Sequence, residues 1–184
     1  LVDITCGQAI QPKIKVRNSG ASNPITSIEI NYSIDGQPET PVSWTGNLAL
    51  DNEIEITLPS INKSTIKSYV LDIEGIVTAD GDASNNNLTR TFRVNRDDTT
   101  PEQVNTFENF LVDYWLTYNE DNSSNLWTLG IPNKTKLNTV TSGTRAYVTD
   151  TNSDYPNDKK SYLISPCYDL TSISNPKMKF NMAF

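Results

Sequence analysis

The sequence predicts an all-β protein, and three observations lead to that fold class. Residues 28–34 alternate apolar and polar side chains without a break. The pair Asp35-Gly36 follows, and it readily takes the positive φ angles of a tight hairpin turn. Short alternating runs recur along the chain with turn residues between them, and no segment shows a convincing helical period.

The first half of the chain contains about seven predicted strands. They cover residues 1–4, 12–18, 28–34, 41–46, 53–59, 69–74 and 88–94. Side chains in a strand point alternately to opposite faces, so four residues of the third strand are expected to share one buried face. They are Ile28, Ile30, Tyr32 and Ile34. About seven strands in about 95 residues is the pattern of an immunoglobulin-like sandwich.

A polar segment in the middle of the sequence is predicted to separate two domains. Residues 95–102 are polar and charged and include Pro101, a composition typical of a domain boundary. We therefore predict a first domain at residues 1–96, a linker at residues 97–103 and a second domain at residues 104–184.

The second predicted domain has fewer strands than the first. Residues 146–149 and 162–164 are typical of buried strands, and residues 177–182 alternate apolar and polar side chains. So few strands do not easily close a sandwich, because an isolated sheet leaves one apolar face in water. Both ends of the chain also look cut, so we expect these residues to be an internal piece of a longer protein.

The composition argues against several classes of function. The net charge of −7 argues against binding nucleic acid or anionic membranes, which favour clustered Lys and Arg. No apolar run approaches the ~18 residues that indicate a membrane span. The chain has no His, which removes Ser-His and Cys-His nucleophile systems and the His-Glu-x-x-His zinc helix. We therefore expect a non-catalytic protein that neither binds nucleic acid nor inserts into a membrane.

The two cysteines, Cys6 and Cys167, are too few for a disulfide framework or a zinc site. We favour the interpretation that both are buried or free thiols. A Cys6–Cys167 bond, or a bond from Cys167 to a cysteine outside this sequence, stays open as an alternative.

Several motifs follow one another in order along residues 1–96. They are Cys6, Ile10-x-Pro12-x-Ile14-x-Val16-x-Asn18-x-Gly20, Ile30-x-Tyr32-x-Ile34-Asp35-Gly36, Trp44-x-Gly46-x-Leu48, Leu58-Pro59 and Asn85-Asn86-Asn87. This set resembles the cell-adhesion-related bacterial domain (CARDB), an immunoglobulin-type domain of secreted Bacteroidetes proteins.

A second ordered set of motifs lies in residues 104–184. It consists of Phe107-Glu108, Trp127-x-x-Gly130-x-Pro132, Ser142-Gly143-x-x-Ala146-x-Val148-Thr149 and Tyr162-Leu163-x-Ser165-Pro166-Cys167-x-Asp169-Leu170. This set resembles the first half of a MAM-like or cleaved-adhesin-type jelly roll from the same class of proteins. With both resemblances, the expected fold is an immunoglobulin-like β-sandwich followed by a partial jelly-roll β-sandwich.

The resemblances imply an extracellular or cell-surface protein that is exported by type IX secretion. They imply a non-catalytic accessory role in adhesion, with other domains of the parent chain and a glycan or surface protein as partners. Two alternatives stay open. The chain could be an accessory region of a secreted metallopeptidase whose active site lies outside these residues, or a structural stalk without a ligand.

The resemblance to a jelly roll also implies a structural Ca²⁺ site. In similar domains a Glu at the position of Glu108 helps to hold the ion, and Asp169 is a weaker candidate partner. The acidic loop Asp80-Gly81-Asp82 with Asn85 is a second candidate for calcium. For that loop, a turn whose side chains bind the local backbone is the favoured alternative.

Two further sites are predicted. Trp115 and Trp127, with Tyr114 and Tyr118, could form a sugar-stacking platform, although packing in the core is the favoured alternative. Residues 98–100 resemble the O-glycosylation motif of Bacteroidetes secreted proteins, with Thr99 as the modified residue. A plain linker is the alternative there.

Overall fold

The computed structural model describes residues 3–7, 9–20, 23–78, 80–98, 104–109, 115–119 and 126–183. These residues form β-strands and one short 3-10 turn, which confirms the all-β fold class. The chain divides into two compact units, Val2–Asn95 and Arg96–Phe184, which we call the N-terminal and C-terminal units. No helix in the described part of the chain is long and apolar enough to cross a membrane.

The described residues of the N-terminal unit form eight strands. They are β1 (Asp3–Cys6), β2 (Lys13–Arg17), β3 (Ile25–Ile34), β4 (Gln37–Pro38), β5 (Val42–Leu48), β6 (Glu53–Thr57), β7 (Ser68–Ile76) and β8 (Asn87–Asn95). The 3-10 turn, Ala83–Asn85, lies between β7 and β8.

The eight strands of the N-terminal unit form two sheets among the described residues. The larger sheet has the order β1-β8-β7-β3-β4, and β5 also pairs with β3. The smaller sheet pairs β2 with β6. The pairs β3–β7 and β7–β8 are antiparallel, whereas β1 runs parallel to β8. β7 therefore lies between β3 and β8 in the larger sheet, while β2 and β6 form the opposite sheet, which is the arrangement of an immunoglobulin-like sandwich.

The predicted apolar face of β3 lies at the centre of the core, which confirms the alternation. The four residues concerned are 1–6% exposed: Ile28, Ile30, Tyr32 and Ile34. Ile14 of β2 and Ile56 of β6 belong to the same buried cluster, so the smaller sheet packs on the larger one.

The hairpin turn after β3 has the conformation that Asp-Gly predicts. Asp35 and Gly36 have φ angles of 51° and 73°, and Ile34 pairs with Gln37 across them. The Asp35 carboxylate accepts hydrogen bonds from Lys67 Nζ (2.6 Å) and from the backbone N–H of Val70 (2.9 Å). These two bonds lower the pKa of Asp35, with Lys67 the larger cause, and they attach the turn to β7.

Six short strands lie in the part of the C-terminal unit that the structure describes. They are β9 (Asp97–Asp98), β10 (Leu116–Asn119), β11 (Trp127–Gly130), β12 (Ala146–Thr149), β13 (Ser161–Ile164) and β14 (Cys167–Tyr168). In the described residues they form three two-stranded ladders, with β10–β13 and β11–β12 antiparallel and β9–β14 parallel.

Three sequence expectations need correction. The free-thiol interpretation is wrong, because both Cys6 and Cys167 are disulfide-bonded. Asp97 and Asp98, which were predicted to belong to the linker, form β9 by pairing with Cys167 and Tyr168. Residues 177–182 form no strand within the described residues, since a strand is defined by a ladder partner as well as by its own alternation.

Ile30→Ala should strongly destabilise the N-terminal unit. Ile30 is 1% exposed, and shortening a buried aliphatic side chain removes packing and leaves a cavity. We expect the free energy of unfolding to fall by about 3 kcal/mol, measured by urea denaturation with amide exchange read on residues of β3 and β7. The control is Val70→Thr, because Val70 is 37% exposed on the outer face and should change stability by less than about 0.5 kcal/mol.

Candidate functional site

Glu108, one of the sequence-predicted site residues, binds the loop that precedes β12. Its Oε1 accepts hydrogen bonds from the backbone N–H groups of Thr144 (2.8 Å) and Arg145 (2.9 Å). Its Oε2 accepts a hydrogen bond from the Thr144 hydroxyl (2.7 Å). We call this arrangement of Glu108 with residues 143–145 the Glu108 clasp. It connects a residue near the start of the C-terminal unit to the loop leading into β12.

Gly143 allows the Glu108 carboxylate to lie close to the backbone of the loop. Its φ angle is +69°, a left-handed conformation that glycine adopts without strain. A Cβ atom at this position would overlap the Glu108 carboxylate. The Gly143 of the second motif set is therefore required locally, both for the backbone conformation and for the space that the carboxylate occupies.

The clasp keeps the Glu108 carboxyl ionised. The backbone N–H of Thr144 is the largest cause of a lowered pKa, followed by the Thr144 hydroxyl and the N–H of Arg145. Hydrogen bonds donated to a carboxylate favour its charged form, and the charge of Arg145 acts in the same direction. Glu108 is thus a charged acceptor at neutral pH.

Phe107 is the other residue of the Phe-Glu motif, and its ring belongs to an aromatic cluster. It has a φ angle of 60°, and its N–H donates to Asn105 Oδ1 (2.9 Å). Its ring makes edge contacts with the rings of Trp115 and Tyr147, both at 5.5 Å between centroids. A left-handed conformation costs a non-glycine residue about 1–3 kcal/mol, and this ring cluster helps to offset that cost.

The two predicted calcium ligands already accept hydrogen bonds from donors of the chain, Glu108 from the loop before β12 and Asp169 from its own loop. Asp169 Oδ1 accepts hydrogen bonds from the N–H (2.9 Å) and the hydroxyl (2.7 Å) of Thr171, and these bonds lower its pKa. Ca²⁺ requires six to eight oxygen ligands, whereas the Glu108 oxygens face three hydrogen-bond donors. The part of the chain that the structure describes has no group of three or more His, Cys, Asp or Glu residues suited to a metal. The Glu108 oxygens are occupied by these three donors, and a calcium site at Glu108 and Asp169 stays a prediction.

The acidic loop before β8 forms local hydrogen bonds, as expected for a turn whose side chains bind the neighbouring backbone. Asp80 Oδ1 accepts from the N–H of Asp82 (3.0 Å), and its Oδ2 accepts from Asn86 Nδ2 (2.7 Å). Asp82 in turn accepts from the N–H of Ser84 (3.1 Å) at the start of the 3-10 turn. These carboxylates hold the loop through short-range side-chain contacts.

The aromatic residues of the predicted sugar-stacking platform lie in different parts of the C-terminal unit. Trp115 lies in the cluster with Phe107 and Tyr147, whereas Tyr118 of β10 stacks on Tyr162 of β13 with 6.0 Å between centroids. Trp127 lies on β11, opposite Thr149 of β12. The ring contacts of Trp115 match its packing alternative, and ligand binding by Trp115 and Trp127 stays a prediction. Tyr114 and Thr99 lie outside the described residues.

Sequence reasoning missed two residues that hold the loops beside β12. Lys134 is buried, and its Nζ donates to the backbone carbonyl of Thr149 (2.7 Å). Asp150 has a φ angle of 71°, and its Oδ1 accepts from the N–H groups of Asn152 (2.9 Å) and Ser153 (3.1 Å). A single Lys in a polar stretch gives no sequence signal. An Asp followed by Thr, Asn and Ser is a turn signal that could have been used.

Comparisons with known proteins found one similar fold. A solved structure, the CARDB domain of a Pyrococcus furiosus protein in complex with di-metal ions, shares 18% sequence identity with this chain. The match has a TM-score of 0.42 and covers 50% of this chain and 82% of that chain. At this identity and TM-score the likeness carries no argument about function. No protein-family model matches the chain, and no curated protein matches it.

Glu108→Gln should loosen the loop before β12 in a pH-dependent way. The lowered pKa means that the clasp stabilises the folded state fully above the ordinary carboxyl value of 4.5. That stability is lost as the pH falls through the folded-state pKa. We expect lower amide protection of Thr144 and Arg145 in the variant at neutral pH, and a difference that vanishes in acid. Hydrogen exchange measured by NMR tests this, with the exposed Glu74→Gln as control.

Gly143→Ala should lower the thermal midpoint of the C-terminal unit, because a methyl group there is strained at positive φ and displaces the carboxylate. Gly81→Ala is the control, since a Cβ at Gly81 meets nothing within 4 Å. In a Glu108→Ala background the effect of Gly143→Ala should shrink, since only the backbone strain is left. Equal effects in both backgrounds, measured by calorimetry, would contradict the overlap.

Proposed function

We propose that the chain is a non-catalytic accessory module of a larger secreted or cell-surface protein, acting in adhesion. In this proposal the N-terminal sandwich is a spacer and the C-terminal unit contacts a glycan or protein partner. The resemblances of the two motif sets support this assignment, and the chemistry of the carboxyl groups supports the non-catalytic part.

The structural hydrogen bonds of the acidic side chains, together with the lowered pKa values that they cause, are the observation that carries the non-catalytic part of the proposal. Every described carboxyl group whose pKa departs from its ordinary value departs downward. They are Asp35, Glu55, Asp80, Glu108, Asp150 and Asp169. A general acid works with a pKa raised toward the operating pH. These groups act instead as charged acceptors that hold turns and strand pairs.

Exposed apolar side chains favour the C-terminal unit as the side that contacts a partner. Tyr155, Phe180 and Met182 are 62–69% exposed, whereas the large exposed apolar residues of the N-terminal unit reach 48%. Aromatic residues and Met are enriched in protein interfaces, and exposed apolar groups gain free energy when a partner covers them.

A binding screen tests this function. The immobilised chain is probed with a glycan array and with solubilised surface proteins, and each hit is repeated with Tyr155→Ser and with Phe180→Ser. We expect at least one saturable partner whose affinity falls about tenfold in one of these variants. Val70→Thr in the N-terminal unit is the control and should bind like the natural chain.

Two results would contradict the proposal. A blank screen would favour the stalk alternative. Turnover of peptide or glycoside substrates by the isolated chain would show that the protein is catalytic.

A further inference from the structure

A groove of about 330 Å³ opens in the N-terminal unit between β2 and the larger sheet. Ile14 and Val16 of β2 line one wall, and Ile30, Ile73 and Leu88 line the wall formed by the larger sheet. A cavity left by deleting one buried aliphatic side chain measures roughly 150 Å³. The groove therefore has room for about two aliphatic side chains.

The groove follows the outer edge of β2. On its inner edge β2 pairs with β6, as shown by the bonds from Leu58 N to Pro12 O (2.9 Å) and from Asn18 N to Asn52 O (3.1 Å). Hydrogen-bonded residues alternate along an antiparallel ladder, so Ile14 and Val16 also point their backbone groups toward β6. No residue of β6 lines the groove.

The intervening residues of β2 offer an open hydrogen-bonding edge. By the same alternation, the backbone N–H and C=O groups of Lys13, Lys15 and Arg17 point away from β6. Among the described residues, β2 pairs with no strand on that side. An edge of this kind, beside an apolar groove, can accept an extended peptide.

Gly75 of β7 provides the space opposite that edge. It lines the groove, and a Cβ atom built on it would have its nearest neighbours, Asn86 O and Ile30 Cδ1, at 3.9 Å. A side chain would therefore fit, and its absence leaves the groove open. Glycine within a strand often marks a place where another chain approaches closely.

The charge pattern of β2 specifies the chemistry of the incoming strand. On its paired edge, Ile14 and Val16 lie opposite the two Ile residues of β6, and Lys15 lies opposite Glu55. Glu55 forms a salt bridge with Lys13 at 2.8 Å, whereas Lys15 forms no salt bridge within the described residues. A strand that alternates Glu and Ile thus already complements one edge of β2, and the second edge presents the same alternation.

We propose that the outer edge of β2 binds an extended segment of a partner protein in which acidic residues alternate with aliphatic residues. The segment pairs antiparallel with Lys13, Lys15 and Arg17 through backbone hydrogen bonds. Its aliphatic side chains enter the groove above Gly75, and its acidic side chains lie beside Lys15. This site lies in the N-terminal unit and stands independently of the function proposed for the C-terminal unit.

A peptide copied from residues 52–58, Asn-Glu-Ile-Glu-Ile-Thr-Leu, is the probe. We expect saturable binding of the labelled, capped peptide to the full chain by fluorescence anisotropy. Methylation of the backbone nitrogens of both Glu residues should abolish binding, because in antiparallel pairing those N–H groups point at β2. Methylation of the Ile nitrogens, which point away, is the matched control and should leave binding in place.

Two variants of the chain locate the site. Lys15→Glu should weaken binding about fivefold and bind better a peptide with Lys in place of Glu, and Lys136→Glu is the charge-matched control. Gly75→Val should fill the groove and abolish binding while the thermal midpoint stays the same or rises.

Three results would overturn the proposal. The first is an unchanged anisotropy with the unmodified peptide. The second is equal binding of the two methylated peptides, or binding that survives Gly75→Val. The third is a dimer in sedimentation experiments that Gly75→Val dissociates, which would make a second copy of this chain the occupant.

Discussion

The buried face of β3 is the interaction on which the N-terminal unit depends. β3 pairs with β4, β5 and β7, and its apolar side chains lie in the centre of the core. A shift of one residue in its pairing would turn that whole face to water, so the register with β7 is strongly determined. The Asp35-Gly36 turn acts in the same direction, because a two-residue hairpin loop permits one register for β3 and β4.

The groove beside β2 exists because the two sheets of the N-terminal unit differ in their number of strands. Six strands form the larger sheet and two form the smaller one in the described residues, so the smaller sheet does not cover all of the larger sheet's inner face. Ile30 and Ile73 belong to the core and also line the groove. The packing that stabilises the sandwich therefore also creates an apolar surface next to an open strand edge.

The C-terminal unit relies on a different kind of interaction. Its strands are two to four residues long, so they supply few ladder hydrogen bonds. Backbone N–H groups in the intervening loops still need acceptors, and the carboxylates of Glu108, Asp150 and Asp169 provide them. The acidic character of the chain thus has a structural use in these loops.

The amino-acid sequence by itself determined the strands of the first half and the turn after β3, because alternation and turn chemistry are local properties of neighbouring residues. Tertiary structure alone decided the disulfide bonding of Cys6 and Cys167, the β9–β14 ladder and, within the part of the chain that the structure describes, the lack of a ladder at residues 177–182. It also decided that Glu108 accepts hydrogen bonds from a loop 36 residues further along the chain. Each of these depends on which distant segments meet in space, and a pattern read along one segment carries no information about its partner.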